Sequence, residues 1–353
     1  MKDKIVKWGK QTVIAVLTIL LALVIGGVLV QLSGNDPFEA YKSLFTGAFG
    51  SKQRISEVFV KMIPLTITAL GTSVAFKAQL WNIGGDGQFI IGAFLATALG
   101  LYSGLPAVLV MPLSIFLAMV GGALWSGIAG WLKVKFNANE VITTLMLNYI
   151  ATCFLSFLMY GPMMDPDGDL PQSANLASQY RVAQFSSDLR IHAGIFMLLV
   201  LVVIMVGFWR SDIGFRIDLI GQGKKVSTYA GTSVGRTVLI TMMISGAFAG
   251  LAGWNEVYGV QYKLMEGLGS GYGNIAVVIA LLGGLNPIGI TIAGFFFSAL
   301  LVGGATMQRM TDVPYSVVEV IQGLIIVFII ARTAINFGKK GGFGIKRRKA
   351  HAK

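Results

Sequence analysis

Three side chains that form hydrogen bonds lie close together in one glycine-rich stretch of an otherwise apolar chain. Asn82, Asp86 and Gln88 all fall within the stretch Trp81–Gln88, which also holds three glycines. Amides both donate and accept hydrogen bonds, and a carboxylate accepts them. This combination is suited to holding a polar molecule by hydrogen bonds. The plainer interpretation is an ordinary turn between two tightly packed helices.

A second glycine-rich stretch, Gly267–Ile275, contains Asn274 and repeats the Asn-Ile pair of the first. Each stretch is followed by an apolar run and then by a similar turn, at 104–106 and at 284–287. The spacings differ, so the pattern only suggests an internal duplication. Matching glycine-interrupted segments in the two halves of a transporter indicate a site between the halves.

Further polar candidates lie inside apolar stretches. Asn148 follows a helix start at which Asn137 or Asn139 is a good cap, and interhelical hydrogen bonds are the plainer role for it. An acid inside a membrane span is costly and is a functional candidate by default. Glu256 is near a helix end where it can reach water, whereas Glu319 is about one turn inside the last span. The residues predicted to line a substrate path are Asn82, Asp86, Gln88, Asn148, Asn274 and Glu319.

No pattern for covalent chemistry is visible in the sequence. The chain has one cysteine and two histidines, which exclude a disulfide framework and a Cys/His metal site. It lacks the GxxxxGK[ST] phosphate loop, a nucleophile–base pair and the HExxH motif. We therefore predict that the chain is not an enzyme, holds no metal or cofactor, and relies on a partner chain for any ATP hydrolysis.

The composition indicates a membrane protein. Of its 353 residues, 55% are hydrophobic and only 12% are charged, with a mean hydropathy of +0.73. A soluble domain carries about 25% charged residues. The net charge of +12 is concentrated at the ends of apolar segments and in the C-terminal tail. This placement is typical of the positive-inside bias and argues against nucleic acid as a partner.

Uncharged stretches predict an all-α polytopic membrane protein with about ten transmembrane helices. These form two pseudo-repeated halves with glycine-rich broken helices, all in one transmembrane domain. The predicted parts are an uncleaved N-terminal helix at 11–30, a core at 58–331, a polar loop at 210–236 and a basic tail at 332–353. Within the core, spans are predicted at 58–76, two in 87–132, 141–160, 191–209, 237–257, two in 266–309 and 315–331. Whether Lys77–Gln88 is a loop or a break inside the membrane stays open.

The positive-inside rule supports this count. With ten spans and a cytoplasmic N-terminus, the basic segments and the C-terminus all fall in the cytoplasm. The acidic loop Gly161–Arg190 then falls outside. One error in the count would reverse half of the loops.

The polar, basic segment Arg210–Arg236 is longer than topology alone requires. Within it, Val226–Ala230 is predicted to form a short helix that Gly231 ends. The plainer alternative is a solvated loop whose charges only set the topology. We interpret the segment as a docking element for a cytoplasmic partner, carried by Val226, Ser227, Thr228, Tyr229, Ala230 and Gly231.

Three motifs in order resemble one family. Trp81–Gln88 is similar to an NIGxEGQ signature, with Asp86 where glutamate is more usual. Tyr229–Arg236 followed by Ser245–Gly253 resembles a cytoplasmic coupling region, and Gly273–Gly284 resembles a second-half signature. The family is the permease subunits of bacterial ABC importers, in the branch for branched-chain amino acids, ribose-type sugars and nucleosides. The resemblance covers roughly Val58–Ala331.

The stretch Asn139–Tyr149 looks most like the nucleoside permeases of that branch. The resemblance implies a nucleoside substrate delivered by an extracellular substrate-binding lipoprotein. It also implies an ATPase that binds ATP and magnesium on the cytoplasmic face, and a second, homologous permease that makes a heterodimer in the bacterial cytoplasmic membrane. The alternatives are a permease for a ribose-type sugar or branched-chain amino acids, and an ion-coupled secondary transporter.

Overall fold

A computed structural model of the chain describes residues 20–328, apart from 187–188, 270, 312, 315, 322 and 325–326. The predicted basic tail and residues 11–19 of the predicted N-terminal helix lie outside the described residues.

Helices dominate the described residues. They are α1 (Leu20–Leu32), α2 (Pro37–Phe49), α3 (Lys52–Lys77), α4 (Gly85–Tyr102), α5 (Ala107–Phe136), α6 (Glu140–Met159), α7 (Gly194–Phe208), α8 (Asp212–Gln222), α9 (Lys224–Tyr229), α10 (Val234–Glu256), α11 (Tyr272–Leu282) and α12 (Pro287–Met310). A π-helical turn, Val257–Gln261, continues α10, and a 3₁₀ turn, Ser178–Tyr180, precedes two short strands, β1 (Gln184–Ser186) and β2 (Leu189–His192). Residues 316–321 are also helical.

The chain divides into two compact units, one made of residues 1–41 and 307–353 and the other of residues 42–306. In the first, the Tyr41 hydroxyl donates a hydrogen bond to the carbonyl oxygen of Leu23 in α1. In the second, α10 packs against α5, α3 and α4, and α11 packs against α3. Nearly all of α3 from Val58 to Phe76 is buried, so α3 and α10 form the centre of the larger unit.

Among the described residues, five helices are long and apolar enough to cross a membrane, namely α3, α5, α6, α10 with its π turn, and α12. A sixth span results if α7 and α8, which meet at a 68° bend, are counted together. The chain is therefore a polytopic membrane protein with an all-α fold, as predicted. The count of ten spans stays a prediction.

Two predicted spans differ from the structure. The span expected at 191–209 begins only at Gly194, because residues 189–192 form β2. One of the two spans expected in 266–309 is α11, which has 11 residues. At 1.5 Å per residue such a helix is about 16 Å long, half of the hydrocarbon thickness. The uncharged stretch therefore predicted a helix at this position but not its length.

Small residues bring α10 and α5 into close contact. A Cβ atom added at Gly246 would lie 2.2 Å from the carbonyl oxygen of Gly122, and one added at Gly250 would lie 2.1 Å from that of Ala118. Such a backbone approach leaves no room for a side chain, as the four-residue spacing of these glycines predicts.

A small hairpin stands in the loop predicted at 161–190. Strands β1 and β2 pair antiparallel. The backbone N–H of Ile191 donates to Ser56 Oγ at 2.8 Å, and Arg190 pairs with Glu57 at 3.0 Å. The hairpin is thereby attached to the first turns of α3.

Candidate functional site

The glycine-rich stretch between α3 and α4 is a true break that folds back along α3. Helix α3 ends at Lys77 and α4 begins at Gly85. A Cβ atom added at Gly85 would lie 3.5 Å from Thr68 Cγ2. Thr68 precedes the end of α3 by nine residues, about 13 Å along the helix axis. Helix α4 therefore starts beside Thr68, near the middle of α3, and a break inside the membrane stays a prediction.

The second glycine-rich stretch meets the first at this point. The backbone N–H of Gly273, in the first turn of α11, donates to Asp86 Oδ1 at 2.7 Å. A Cβ atom added at Gly85 would lie 2.8 Å from Gly273 Cα. The rings of Phe89 and Tyr272 pack edge to face 5.7 Å apart. Helices α4 and α11 thus touch through their N-terminal turns, and the Asp86 carboxylate lies between two positive helix ends.

The close approach at Gly85 gives a first test. We expect Gly85→Ala to lower the free energy of unfolding by about 2 kcal/mol, because the added methyl forces two backbones apart. The measurement is the thermal unfolding midpoint of the purified protein in detergent.

The matched control is Gly207→Ala, within α7, where an added Cβ has nothing within 4 Å. There we expect an unchanged or slightly higher midpoint, because alanine favours a helix. Equal unfolding midpoints for the two variants would contradict the close approach of α4 and α11.

A buried network of amides and hydroxyls holds the first break. Asn82 Nδ2 donates to Ser245 Oγ at 2.9 Å, to Gln88 Oε1 at 3.2 Å and to Ser126 Oγ at 3.4 Å. Its Oδ1 accepts from Gln88 Nε2 at 2.8 Å and from the backbone N–H of Gly84 at 3.0 Å. Asn82 and Gln88 are both buried. In this conformation they bond to one another and to α5 and α10, and their path-lining role stays a prediction.

Helix α6 supplies side chains that replace the helical hydrogen bonds missing at the break. Asn148 Oδ1 accepts from the backbone N–H of Gly87 at 2.8 Å, and Asn148 Nδ2 donates to the carbonyl oxygen of Ile83 at 2.9 Å. Thr144 Oγ1 accepts from the N–H of Ile83 at 3.3 Å. A non-helical backbone inside a membrane requires such partners.

The remaining predicted path residues are in different surroundings. Asn274 follows Gly273, through which α11 contacts α4, and its side chain is exposed. Glu319 belongs to the unit formed by the two chain ends, where its side chain is also exposed. The path roles of both stay predictions.

A group of ionisable residues at α11 was not predicted as a site. The Lys61 ammonium group, on α3, donates to the Tyr272 hydroxyl at 2.5 Å. Glu256 is buried and accepts from Gln261 Nε2 at 2.9 Å. The expectation that Glu256 reaches water was wrong, because the π turn carries the chain on past it. Lys61 lies near the end of a predicted span. The sequence did not indicate its contact with Tyr272, which places it in this group.

The predicted short helix in the polar segment is α9. Gly231 has a φ of +72°, which ends the helix as predicted. Ser227 is buried and donates to the carbonyl oxygen of Gly223 at 3.1 Å. In contrast, Tyr229 is 93% exposed and Val226 is 46% exposed. Helix α9 therefore buries Ser227 on one side and exposes an aromatic residue on the other.

Helix α8, which the sequence did not predict, joins α9 to the end of α3. A Cβ atom added at Gly221 would lie 1.9 Å from the carbonyl oxygen of Lys77, so α8 touches the last turn of α3. The Lys77 ammonium group lies 3.6 Å from the centre of the Trp209 ring. The last residue of α3 thus contacts α8 and Trp209, the residue that follows α7.

A cleft of about 390 Å³ lies beside the contact between α8 and the end of α3. Its wall includes Gln79 and Leu80 from the break, the ion pair of Lys133 with Glu140 at 2.6 Å, and Gly223 at the start of α9. The cleft therefore has the break on one wall and the start of α9 on another.

Comparisons with known proteins agree with these features. A model of the family described as the branched-chain amino acid transport system permease component matches residues 54–330. The chain is 35% identical to the glucose ABC transporter permease protein TsgB13 of Haloferax volcanii, over 92% of this chain and 90% of the relative. It is 33% identical to the guanosine ABC transporter permease protein NupP of Bacillus subtilis, over 94% and 97%. It is 32% identical to the nucleoside ABC transporter permease protein NupB of Lactococcus lactis, over 92% of each.

Proposed function

The chain belongs to the family of permease components of branched-chain amino acid transport systems, and from this premise we propose that it carries nucleosides as one subunit of an ATP-driven importer. It is a multi-pass, non-catalytic ABC transporter permease, and a separate chain hydrolyses ATP. This membership removes the ion-coupled secondary transporter from the alternatives.

A network of amides and hydroxyls beside the Asp86 carboxylate, where α4 and α11 meet, carries the proposal. Asn82, Gln88 and Asn148 offer both donors and acceptors there. A nucleoside is neutral and carries hydroxyl and base groups that donate and accept in the same way. When the helices separate during transport, these side chains exchange partners within the protein for partners on the substrate.

The permease named for glucose supports a second candidate. Glucose shares with nucleosides a hydroxylated sugar ring, which the same amide groups recognise. The aromatic pair Phe89 and Tyr272, beside the junction, favours the nucleoside, because a base can stack on an aromatic ring. A sugar without a base uses only the hydrogen bonds.

We place α9 on the cytoplasmic face as the docking site for the ATPase. In this arrangement both chain ends are cytoplasmic, and the acidic loop with its hairpin faces an external substrate-binding lipoprotein. A second, homologous permease completes the path as a heterodimer in the bacterial cytoplasmic membrane. Asn274, exposed beside the junction, is a residue that such a partner or the substrate can contact.

A force on α9 has a defined route to the junction. A movement of α9 is passed to α8 because Gly223 joins the two helices. Helix α8 in turn contacts Lys77 at the end of α3. The next residues along the chain form the break that holds Asn82. Closure of the ATPase dimer therefore moves the polar network through contacts that the larger unit already contains.

Uptake into proteoliposomes tests the function. The complete transporter is reconstituted with ATP inside and the binding lipoprotein outside, and the uptake of labelled guanosine is measured. We expect ATP-dependent uptake that excess unlabelled nucleosides suppress and excess glucose does not. Uptake of labelled glucose but not of labelled guanosine would favour the sugar. Uptake that follows a proton or sodium gradient without ATP would overturn the proposal.

A further inference from the structure

Two fully buried polar side chains between the external hairpin and the end of α10 have atoms without a protein partner. His192, at the end of β2, and Asn255, near the end of α10, are each 0% exposed. His192 Nε2 and both polar atoms of the Asn255 amide form no hydrogen bond with the residues that the structure describes. Burying such groups without partners is unfavourable, so this position requires a polar occupant.

The unpartnered groups converge beside Gly194, the first residue of α7. A Cβ atom added there would lie 2.3 Å from Asn255 Oδ1 and 2.5 Å from His192 Cε1, which places these two atoms within about 5 Å of each other. Gly259 also lies against the imidazole ring, since a Cβ atom added there would lie 2.6 Å from Cε1. A side chain at either glycine would therefore collide with the imidazole ring.

The protonation of His192 defines what can bind. Its Nδ1 accepts a hydrogen bond from the backbone N–H of Gly194 at 3.1 Å, so the proton of the neutral ring is on Nε2. Burial, with a smaller effect of Arg190, lowers the pKa of His192 to about 4. At neutral pH the site therefore presents N–H donors and one carbonyl acceptor without charge. A neutral ligand that accepts one hydrogen bond and donates another fits it.

We infer that His192 and Asn255 form a buried water-binding site that joins the external hairpin to the outer end of α10. A water molecule accepts the proton of His192 Nε2 and donates to Asn255 Oδ1, and buried waters typically make about three such bonds. The hairpin is attached directly to α3 through Ser56 and Glu57. The water adds to direct bonds at the end of α10: the Val182 N–H donates to the carbonyl oxygen of Tyr258 in the π turn at 2.9 Å, and Gln184 Nε2 of β1 donates to the Tyr262 hydroxyl at 2.8 Å.

Hydroxyl-radical footprinting tests this site in the intact protein. Radicals generated by X-rays from bound water oxidise side chains next to that water even when bulk solvent does not reach them. Oxidation is read by mass spectrometry and divided by the intrinsic reactivity of each residue type. The dry reference is Phe297, which is also 0% exposed. We expect His192 to be oxidised at least five times faster than Phe297. Equal rates would overturn the proposal.

The variant Asn255→Leu gives an independent result through the sign of its effect. Leucine has a similar size but cannot bind water. If water bridges the pair, the variant loses the bridge, the unfolding midpoint falls by several degrees, and His192 oxidation drops to the rate of Phe297. If the amide is unpartnered, the variant removes an unfavourable group, and the midpoint stays or rises. In the background of His192→Phe, the fall in midpoint should shrink by at least half; an undiminished fall would contradict a shared water.

Discussion

Replacing Tyr229 with alanine is expected to release the ATPase subunit while the permease stays folded. At 93% exposure the ring contributes almost nothing to the stability of the permease. Exposed aromatic residues that become buried in an interface are frequent hot spots, and truncating one costs about 2 kcal/mol or more. We therefore expect the dissociation constant to rise roughly 30-fold. The measurement is the affinity of the purified ATPase for the permease in nanodiscs.

A second tyrosine offers a matched control for this prediction. Tyr102, at the end of α4, is 65% exposed and lies outside the polar segment. Tyr102→Ala should leave both the ATPase affinity and the unfolding midpoint unchanged. If Tyr229→Ala binds the ATPase as tightly as the unmodified permease does, α9 is not the docking element.

The backbone of the same element supports the prediction from another direction. Gly231 has a φ of +72°, and its N–H donates to the carbonyl oxygen of Thr228 at 3.0 Å. Proline fixes φ near −65° and has no N–H. Gly231→Pro therefore distorts the end of α9 while Tyr229 itself is unchanged, and we expect it to weaken ATPase binding. A charge introduced at exposed Ala230 should weaken the same binding by acting on the interface alone.

The sequence predicted those features that depend on local composition. Uncharged apolar runs indicated the helices, and the turn predicted at 103–106 separates α4 from α5 as expected. The short helix in the polar segment and its glycine terminus followed from local turn chemistry. Asn139 caps α6 by accepting from the N–H of Val141 at 2.9 Å, as one of the two proposed caps.

The features that the sequence did not reveal depend on contacts between distant residues. Glycines indicated where helices break, but the depth of the first break is set by Gly85 packing on Thr68. Hydropathy cannot distinguish a half-length helix such as α11 from a full span, because its partner for the rest of the depth lies elsewhere in the chain. Glu256 appeared to end a helix because the sequence gives no signal for the π turn.

Asp86 is the residue whose replacement should have the largest effect on the junction. Asp86→Leu leaves the N–H of Gly273 without its acceptor and leaves two helix N-termini facing each other without a counter-charge. A hydrogen bond to a charged group contributes about 1.5–3 kcal/mol, and each helix end about 0.3–1 kcal/mol. We expect the free energy of unfolding to fall by about 3 kcal/mol and ATP-driven uptake to be lost. Chemical denaturation in detergent and proteoliposome uptake measure the two effects.

Two further variants distinguish the specific role of Asp86 at the junction from a general effect of losing an acid. Asp86→Glu keeps the charge and an acceptor, and the resemblance to a signature that usually carries glutamate implies that the longer side chain fits, so uptake should largely persist. Asp212→Leu removes an acid from the first turn of α8, where the side chain is 70% exposed and pairs only with exposed Arg216 among the described residues. Its cost should stay below about 1 kcal/mol because exposed ion pairs and helix-end charges are weak. If Asp86→Leu lowers the free energy of unfolding as little as Asp212→Leu does and the variant still transports, α4 and α11 are held together by packing at Gly85 and Gly273 alone.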